Sequence, residues 1–271
     1  MMQEYLINDN VRRKIKLIGC LLLLEYLVFI ISGVSFSYLY GNPFFNLGLD
    51  PTSWLFFYSH IPQFITSNLW AGILLDSGVM ILLLLFIKNP LNNRATVGLF
   101  LLLLCYYVTV MGYLTHQNFQ IGFVMVMIPF MFKGKKNISL AFDATRYFLL
   151  FFYFSAGVLK LYYNSLSKPE HFSHILASQF IPYYLERNTG IRTALNLYLI
   201  HYPKVSYLLY IGSFLAEFIT VIGFFTKRFD KWIALILLLF HCGIWLIMDI
   251  GAIGQISFIS LLFLSNDFKN L

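Results

Sequence analysis

The sequence predicts an all-α integral membrane protein, a bundle of eight transmembrane helices with both termini cytoplasmic and two longer outer loops. Three observations carry this. First, the 271 residues are 59% hydrophobic and 19% aromatic but only 11% charged, whereas soluble domains run at roughly 45–50% apolar and about 25% charged. Second, apolar runs of spanning or near-spanning length recur along the whole chain. Third, Lys and Arg gather in alternate gaps between those runs. Together these exclude a soluble domain, a disordered or collagen-like chain and a disulfide scaffold. The net charge of +7 is not a nucleic-acid footprint either, because the basic residues sit in short gaps where they set topology.

The apolar runs lie at about 15–34, 70–87, 95–114, 119–132, 144–163, 204–226, 231–248 and 250–264. The first is too long for the core of a cleaved signal peptide and reads as a retained helix. The runs at 119–132 and 250–264 are short, but skipping either scrambles the charge alternation, so both are read as crossings. Strands are excluded, because open sheet edges cannot sit in hydrocarbon and no ten-residue alternation appears. With the N-terminus inside, the cytoplasmic segments hold the clusters around Arg12–Lys16, Lys88 and Arg94, Lys133–Arg146, Lys227–Lys231 and Lys269. The outer segments hold only Lys168, Arg187, Arg192 and Lys204. The chain thus reads as one transmembrane domain over residues 1–271, placed in the cytoplasmic membrane of the cell. Cys20, Cys105 and Cys242 each lie inside an apolar run and read as small buried hydrophobes rather than a redox pair.

Two outer connections are long enough to carry structure. Residues 35–69 are rich in proline and aromatics and suit the membrane interface, where Trp and Tyr prefer to sit. Residues 164–203 hold His171, His174, the Tyr183–Tyr184 pair and His201, with a short amphipathic helix expected near 188–200.

Ionisable side chains inside a membrane are rare and costly, so each is a functional candidate. Glu25, Asp76, Glu217 and His241 all fall about 14–16 Å above the cytoplasmic ends of their helices, at about 1.5 Å per residue. Lys160 lies higher, at about 21 Å, a turn and a half above that layer and within reach of a bending side chain. Each has a plain alternative. The acids serve equally well as glue between helices, and Lys160 as a side chain snorkelling to the interface. What favours a site at Lys160 is its setting, since Ser155, Ala156 and Gly157 let a neighbouring helix approach and Lys160 follows on that face. A lysine desolvated in such a place is the kind that serves as a general base. His241, Trp245 and Asp249 share one face of their helix, and Thr115-His116-Gln117-Asn118 forms a polar outer turn. All six histidines lie outside or at mid-depth, so a titratable site would open outward. No phosphate-binding loop, dinucleotide fingerprint or zinc motif is present, and no metal is expected.

Phe154-Ser-Ala-Gly-Val-Leu-Lys-Leu161 resembles the F-x-A-G-V-x-K-L helix of the vitamin K-dependent gamma-carboxylase family, and Phe240-His241-Cys242 resembles its F-H-C helix. Eight spans in this order are similar to the transmembrane module of that family, the HTTM domain, and the likeness is best over 144–264. The resemblance implies that Lys160 is the base that deprotonates reduced vitamin K or another quinol, with His241 and His116 as further catalytic residues. It also implies a quinol site bordered by Tyr153, Gly157 and Trp245. The carboxylases carry a large extramembrane portion after the bundle, and none is expected here. Two functions therefore stand: quinol-dependent carboxylase or oxidoreductase chemistry at an outward-facing site, and a non-enzymatic membrane partner in the maturation of a secreted peptide or toxin. A proton-coupled transporter using the mid-membrane acids is the weakest alternative, for want of paired halves. The expected partners are the lipid bilayer, a quinol and a secreted peptide or protein, with no nucleic acid.

Overall fold

The structure is a computed structural model and describes residues 9–41, 58–90, 92–111, 121–185, 190–248, 254–265 and 267. Among these residues all regular structure is helical, with no strand. In chain order the helices are α1 (Asp9–Ile31), α2 (Ile61–Ser67), α3 (Leu69–Lys88), α4 (Asn93–Met111), α5 (Ile121–Met125) and α6 (Lys135–Tyr162). There follow α7 (His171–Leu185), α8 (Ile191–His201), α9 (Pro203–Phe218), α10 (Val221–Phe225), α11 (Asp230–Met248) and α12 (Gly254–Ser260). The chain divides into two compact units, one of Met1–Thr145 with Gly251–Leu271 and one of Arg146–Ile250.

Four segments are long and apolar enough to cross a membrane: Leu69–Lys88, Asn93–Val110, Pro203–Phe225 and Asp230–Met248. They match four of the eight runs read from the sequence. Helices α1, of 23 residues, and α6, of 28, are as long but carry charge inside the apolar stretch. The two short runs are helices of 10–17 residues, Ile121–Met131 and Gly254–Leu264, and each tightens from α into 3-10 geometry. At about 1.5 Å per residue each described helix covers roughly half of a hydrocarbon core of about 30 Å, so a full crossing at either run has to include flanking residues.

Local sequence explains where the helices begin and end. The Asn68 side chain accepts hydrogen bonds from the Trp70 and Ala71 amides at 3.0 and 3.3 Å, capping α3. Pro203 opens α9, where a missing amide proton costs nothing. Helix α1 closes on Gly33, whose φ of +71° lets Val34 N–H reach Phe29 O at 2.8 Å and Gly33 N–H reach Ile30 O at 3.2 Å. Glycine takes that left-handed backbone without strain.

In the first unit an aromatic core of Tyr26, Phe29, Phe36, Tyr106 and Phe123 is almost wholly buried. The Tyr106 hydroxyl donates to Val34 O at 2.7 Å. Lys14 Nζ meets Asp267 Oδ2 at 2.6 Å, so the beginning of α1 and the segment after α12 lie together. Helices α5 and α12 pack through Gly122. A methyl group there would stand 2.5 Å from Gln255 Oε1, 2.7 Å from Gly254 O and 2.9 Å from Phe258 Cβ. Because one of those atoms is backbone, Gly122→Ala is expected to destabilise the protein by about 1–3 kcal/mol, the usual cost of overpacking. Gly98→Ala, whose methyl meets its first neighbour at 3.5 Å, is expected to be neutral. Thermal unfolding of the two variants in detergent measures the contrast, and equal melting temperatures would show that α5 and α12 do not pack at Gly122.

The second unit is pinned by an ion pair that the sequence reading missed, having placed Arg146 among the cytoplasmic basic residues. Arg146 Nε lies 2.6 Å from Asp230 Oδ2 and Nη2 lies 2.7 Å from Oδ1. Nη2 also donates to Gly223 O at 2.6 Å. The side chains are 1% and 0% exposed. The span Pro203–Phe225 is interrupted between α9 and α10, where Thr220 N–H and Gly223 N–H bond three residues back, to Glu217 O and Thr220 O. The carbonyl of Gly223 that Arg146 holds lies just past this break. Cys20 and Cys242 are exposed rather than buried as the sequence suggested, and Cys105 is half-buried. They lie on outer faces of apolar helices, where a small sulfur side chain suits lipid as well as it suits a core.

Candidate functional site

Within the second unit, α6 contributes Tyr153, Gly157 and Lys160 from one face, spaced by four and three residues. Helix α9 answers with Tyr210, Ser213 and Glu217, spaced by three and four, and α11 with Phe240 and His241. Helical periodicity alone places each trio on one side of its helix. A methyl on Gly157 would lie 3.5 Å from Phe218 N and 3.6 Å from Glu217 Cβ. The two helices therefore approach closely here, as the small residues suggested, though at a distance that alanine would also fill.

Lys160 Nζ lies 2.8 Å from Glu217 Oε2 and donates to Ser213 Oγ at 2.9 Å. Glu217 Oε2 is buried and accepts no hydrogen bond of good angular geometry, so the ammonium is its electrostatic partner. The lysine side chain is 20% exposed and the glutamate 8%, which keeps the pair away from bulk water without sealing it. Nζ also stands over the Tyr210 ring at 5.1 Å and the Phe240 ring at 6.0 Å, distances at which ring faces attract a cation. The backbone at Lys160 is held as well. Ser165 Oγ donates to Lys160 O at 2.9 Å, and Tyr210 Oη, 2.7 Å from Ser165 Oγ, is left as the donor of that contact. The hydroxyls thus satisfy a carbonyl that the last turn of α6 leaves open, and Tyr210 steadies both ends of the lysine.

Tyr153 Oη lies 2.5 Å from His241 Nε2. With the phenol donating, the imidazole proton sits on Nδ1, and Nδ1 is buried with no hydrogen-bond partner. This pairing joins two residues that the sequence proposed separately. Trp245 stands apart, 52% exposed beneath the Arg192 guanidinium at 5.4 Å. His116 and Asp249 lie outside the described residues.

Of the four titratable groups read from the sequence at a common depth, two belong to each unit. Asp76 is fully engaged in the first: Oδ1 accepts from Tyr26 Oη at 2.6 Å and Phe36 N at 3.0 Å, and Oδ2 from Ser37 N at 3.0 Å. Glu25 Oε1 accepts from Ser257 N at 2.8 Å, at the start of α12. Both acids satisfy backbone amides next to a chain turn or helix start, which is the glue role weighed against function. Glu217 and His241 belong to the second unit with Lys160. Sequence reasoning passed over Ser213, Tyr210 and Ser165, although the spacing of Tyr210, Ser213 and Glu217 was a readable signal.

No family model matches the chain, and neither a curated protein nor a solved structure matches it.

Proposed function

We propose that this chain crosses the cytoplasmic membrane eight times with both ends inside, and that Lys160 is the proton acceptor for a lipid-soluble quinol, reduced vitamin K or another. An even number of crossings is supported by the Lys14–Asp267 contact, which keeps the two ends of the first unit together at 2.6 Å. The crossing by α6 is supported by its charges having partners, Asp230 for Arg146 and Glu217 for Lys160. The observation that carries the functional reading is the Lys160–Glu217 pair, 2.8 Å apart within an apolar helical unit.

In this reading a proton passes from the Lys160 ammonium to the Glu217 carboxylate across 2.8 Å. When the carboxyl holds it, the Lys160 lone pair is free to take a hydroxyl proton, while Ser213 keeps the amine in place. Tyr210 and Phe240 offer ring faces to a flat aromatic ligand. His241 offers an imidazole nitrogen that makes no hydrogen bond, with its ring oriented by Tyr153. A quinol supplies the acidic hydroxyl, whose proton passes to the Lys160 amine. The carboxylase-like form of this reading gives Lys160 the part of the family's base, with Tyr153 and Gly157 on its own face of α6. A photoreactive quinone analogue applied to the protein in lipid nanodiscs is expected to label peptides from 146–163, 204–225 or 230–248, and excess plain quinone should suppress the labelling. Labelling confined to Asp9–Lys88, or not suppressed, would overturn the quinol reading.

The same pair supports a second reading. A lysine clasped by a carboxylate, a hydroxyl and two rings also serves simply to join α6 to α9. The protein is then a non-enzymatic membrane partner that receives a secreted peptide on its outer face.

A further inference from the structure

Helix α8 has inverted polarity. Its buried residues are Thr193, Asn196 and Leu199, two of them polar. Apart from His201 in its last turn, its exposed side chains are apolar or aromatic: Ile191 at 88%, Tyr198 at 50% and Leu197 at 38%, with Ala194 between them and Tyr202 just beyond the end. In water this arrangement would place the greasy side outward and the amide inward, the reverse of a soluble amphipathic helix. The neighbouring α7 is closer to ordinary polarity, exposing His174, Ser178 and Gln179 and burying Leu176 and Phe180 beside Ser173, with Ile181 exposed near the last described side chains. The two helices of one outer connection therefore face different solvents.

The depth of α8 follows from what its polar side holds. Asn196 Nδ2 donates to Ile247 O at 2.9 Å. Arg192 Nη2 and Nε reach Trp245 O and Leu246 O, each at 3.3 Å. These three carbonyls are the open acceptors of the last turn of α11, the end of the span Asp230–Met248. At the other end of α8, Ser206 Oγ donates to Leu199 O, and Ser206 lies in the first turn of the span Pro203–Phe225. One short helix is thus tied to the ends of two membrane spans, and the ends of spans lie at the bilayer surface. Trp245 and the tyrosines Tyr198 and Tyr202 are the side chains that favour that level.

We infer that α8 is an interfacial helix lying against the leaflet at which these two spans end, the outer one in the topology proposed above, with Ile191, Ala194, Leu197 and Tyr198 in contact with acyl chains and Arg192 and Asn196 fastening it to α11. The partner of this face is the lipid surface itself. The helix that carries His241 therefore ends on a strap seated in the bilayer.

The test places single cysteines in the full chain with Cys20, Cys105 and Cys242 replaced. Tyr198→Cys and Leu197→Cys report on α8, and Ser178→Cys on α7. Each carries an environment-sensitive fluorophore, and the protein is reconstituted in vesicles of phosphatidylcholine and phosphatidylglycerol. Lipids brominated near the glycerol end of the acyl chains are expected to quench the α8 labels several-fold more strongly than aqueous iodide does, with the order reversed for the α7 label. Iodide quenching at positions 197 and 198 equal to that at 178 would overturn the inference and leave a water-exposed docking face for a peptide. Protection from both quenchers, with cross-linking between copies through position 198, would overturn it in favour of a self-interface. Two α8 positions keep the test decisive should one variant fail to fold.

Discussion

Arg146→Leu is expected to lose about 3–5 kcal/mol of folding stability, the cost of leaving a buried charge without its partner. Asp230 is wholly buried, and its carboxylate receives two guanidinium hydrogen bonds at 2.6 and 2.7 Å. Leucine fills much of the arginine's volume but leaves that carboxylate in an apolar unit. It also frees Gly223 O, which accepts from the same guanidinium at 2.6 Å. The position of Asp230 in the first turn of α11 offsets some of the loss, since a helix N-terminus favours negative charge. Asp230→Leu alone should cost a similar amount by stranding the guanidinium. The double variant should recover most of the deficit, because a buried ion pair replaced by apolar groups is often close to neutral. Unfolding of all four proteins in detergent gives the double-mutant cycle. Additive losses would show that the two side chains act independently and that the pair does not hold α6 to α11. Arg146→Lys should fall between wild type and leucine, since an ammonium cannot form the two-pronged contact.

The same pair marks where sequence reading stops. Membrane helices were legible because hydrocarbon demands long apolar runs, and four of the eight runs reappear as helices both long and apolar enough to cross. Arg146 was counted by the positive-inside pattern as a loop residue, and nothing in its neighbourhood announces a partner in α11. Depth along a helix is one coordinate and says nothing of which helix stands beside which. That is why the sequence could assign Glu25, Asp76, Glu217 and His241 a common depth but could not show that the first two belong to one unit and the last two to the other. Where periodicity adds a direction to depth, more could be read. The small residues before Lys160 pointed to a close helix contact, and a contact with Glu217 lay within reach of the lysine side chain. In the connection over 164–203 the sequence suggested a helix near 188–200, found at Ile191–His201. It did not suggest α7, whose mixed polar and aromatic composition carries no clean stripe. Its inward residues become identifiable only once Phe172 is seen stacked on Tyr210, with ring centroids 5.8 Å apart.

Lys160→Arg is expected to leave expression and stability near wild type while lowering activity by about 10²–10⁴-fold, the usual contribution of a general base. Arginine retains a positive charge for Glu217 and donors for Ser213, so the clasp between α6 and α9 survives. It stays protonated at any physiological pH and cannot accept a proton. Lys160→Met makes the complementary change, since it removes both the charge and the base and leaves Glu217 Oε2 without its cation. It should lose activity equally and about 1–3 kcal/mol of stability besides, less than at Arg146 because the lysine is 20% exposed and its surroundings are partly screened. The two substitutions separate the readings of the site. If Lys160 only joins helices, arginine serves nearly as well as lysine and methionine fails through instability alone. If Lys160 takes a proton, arginine fails in a folded protein. The assay is rescue of the phenotype of a deletion strain, scored beside protein level and the melting temperature of the purified variant. A normally expressed Lys160→Arg protein that fully restores the phenotype ends the proton-acceptor reading and leaves the helix clasp, and with it the peptide-partner function, in its place.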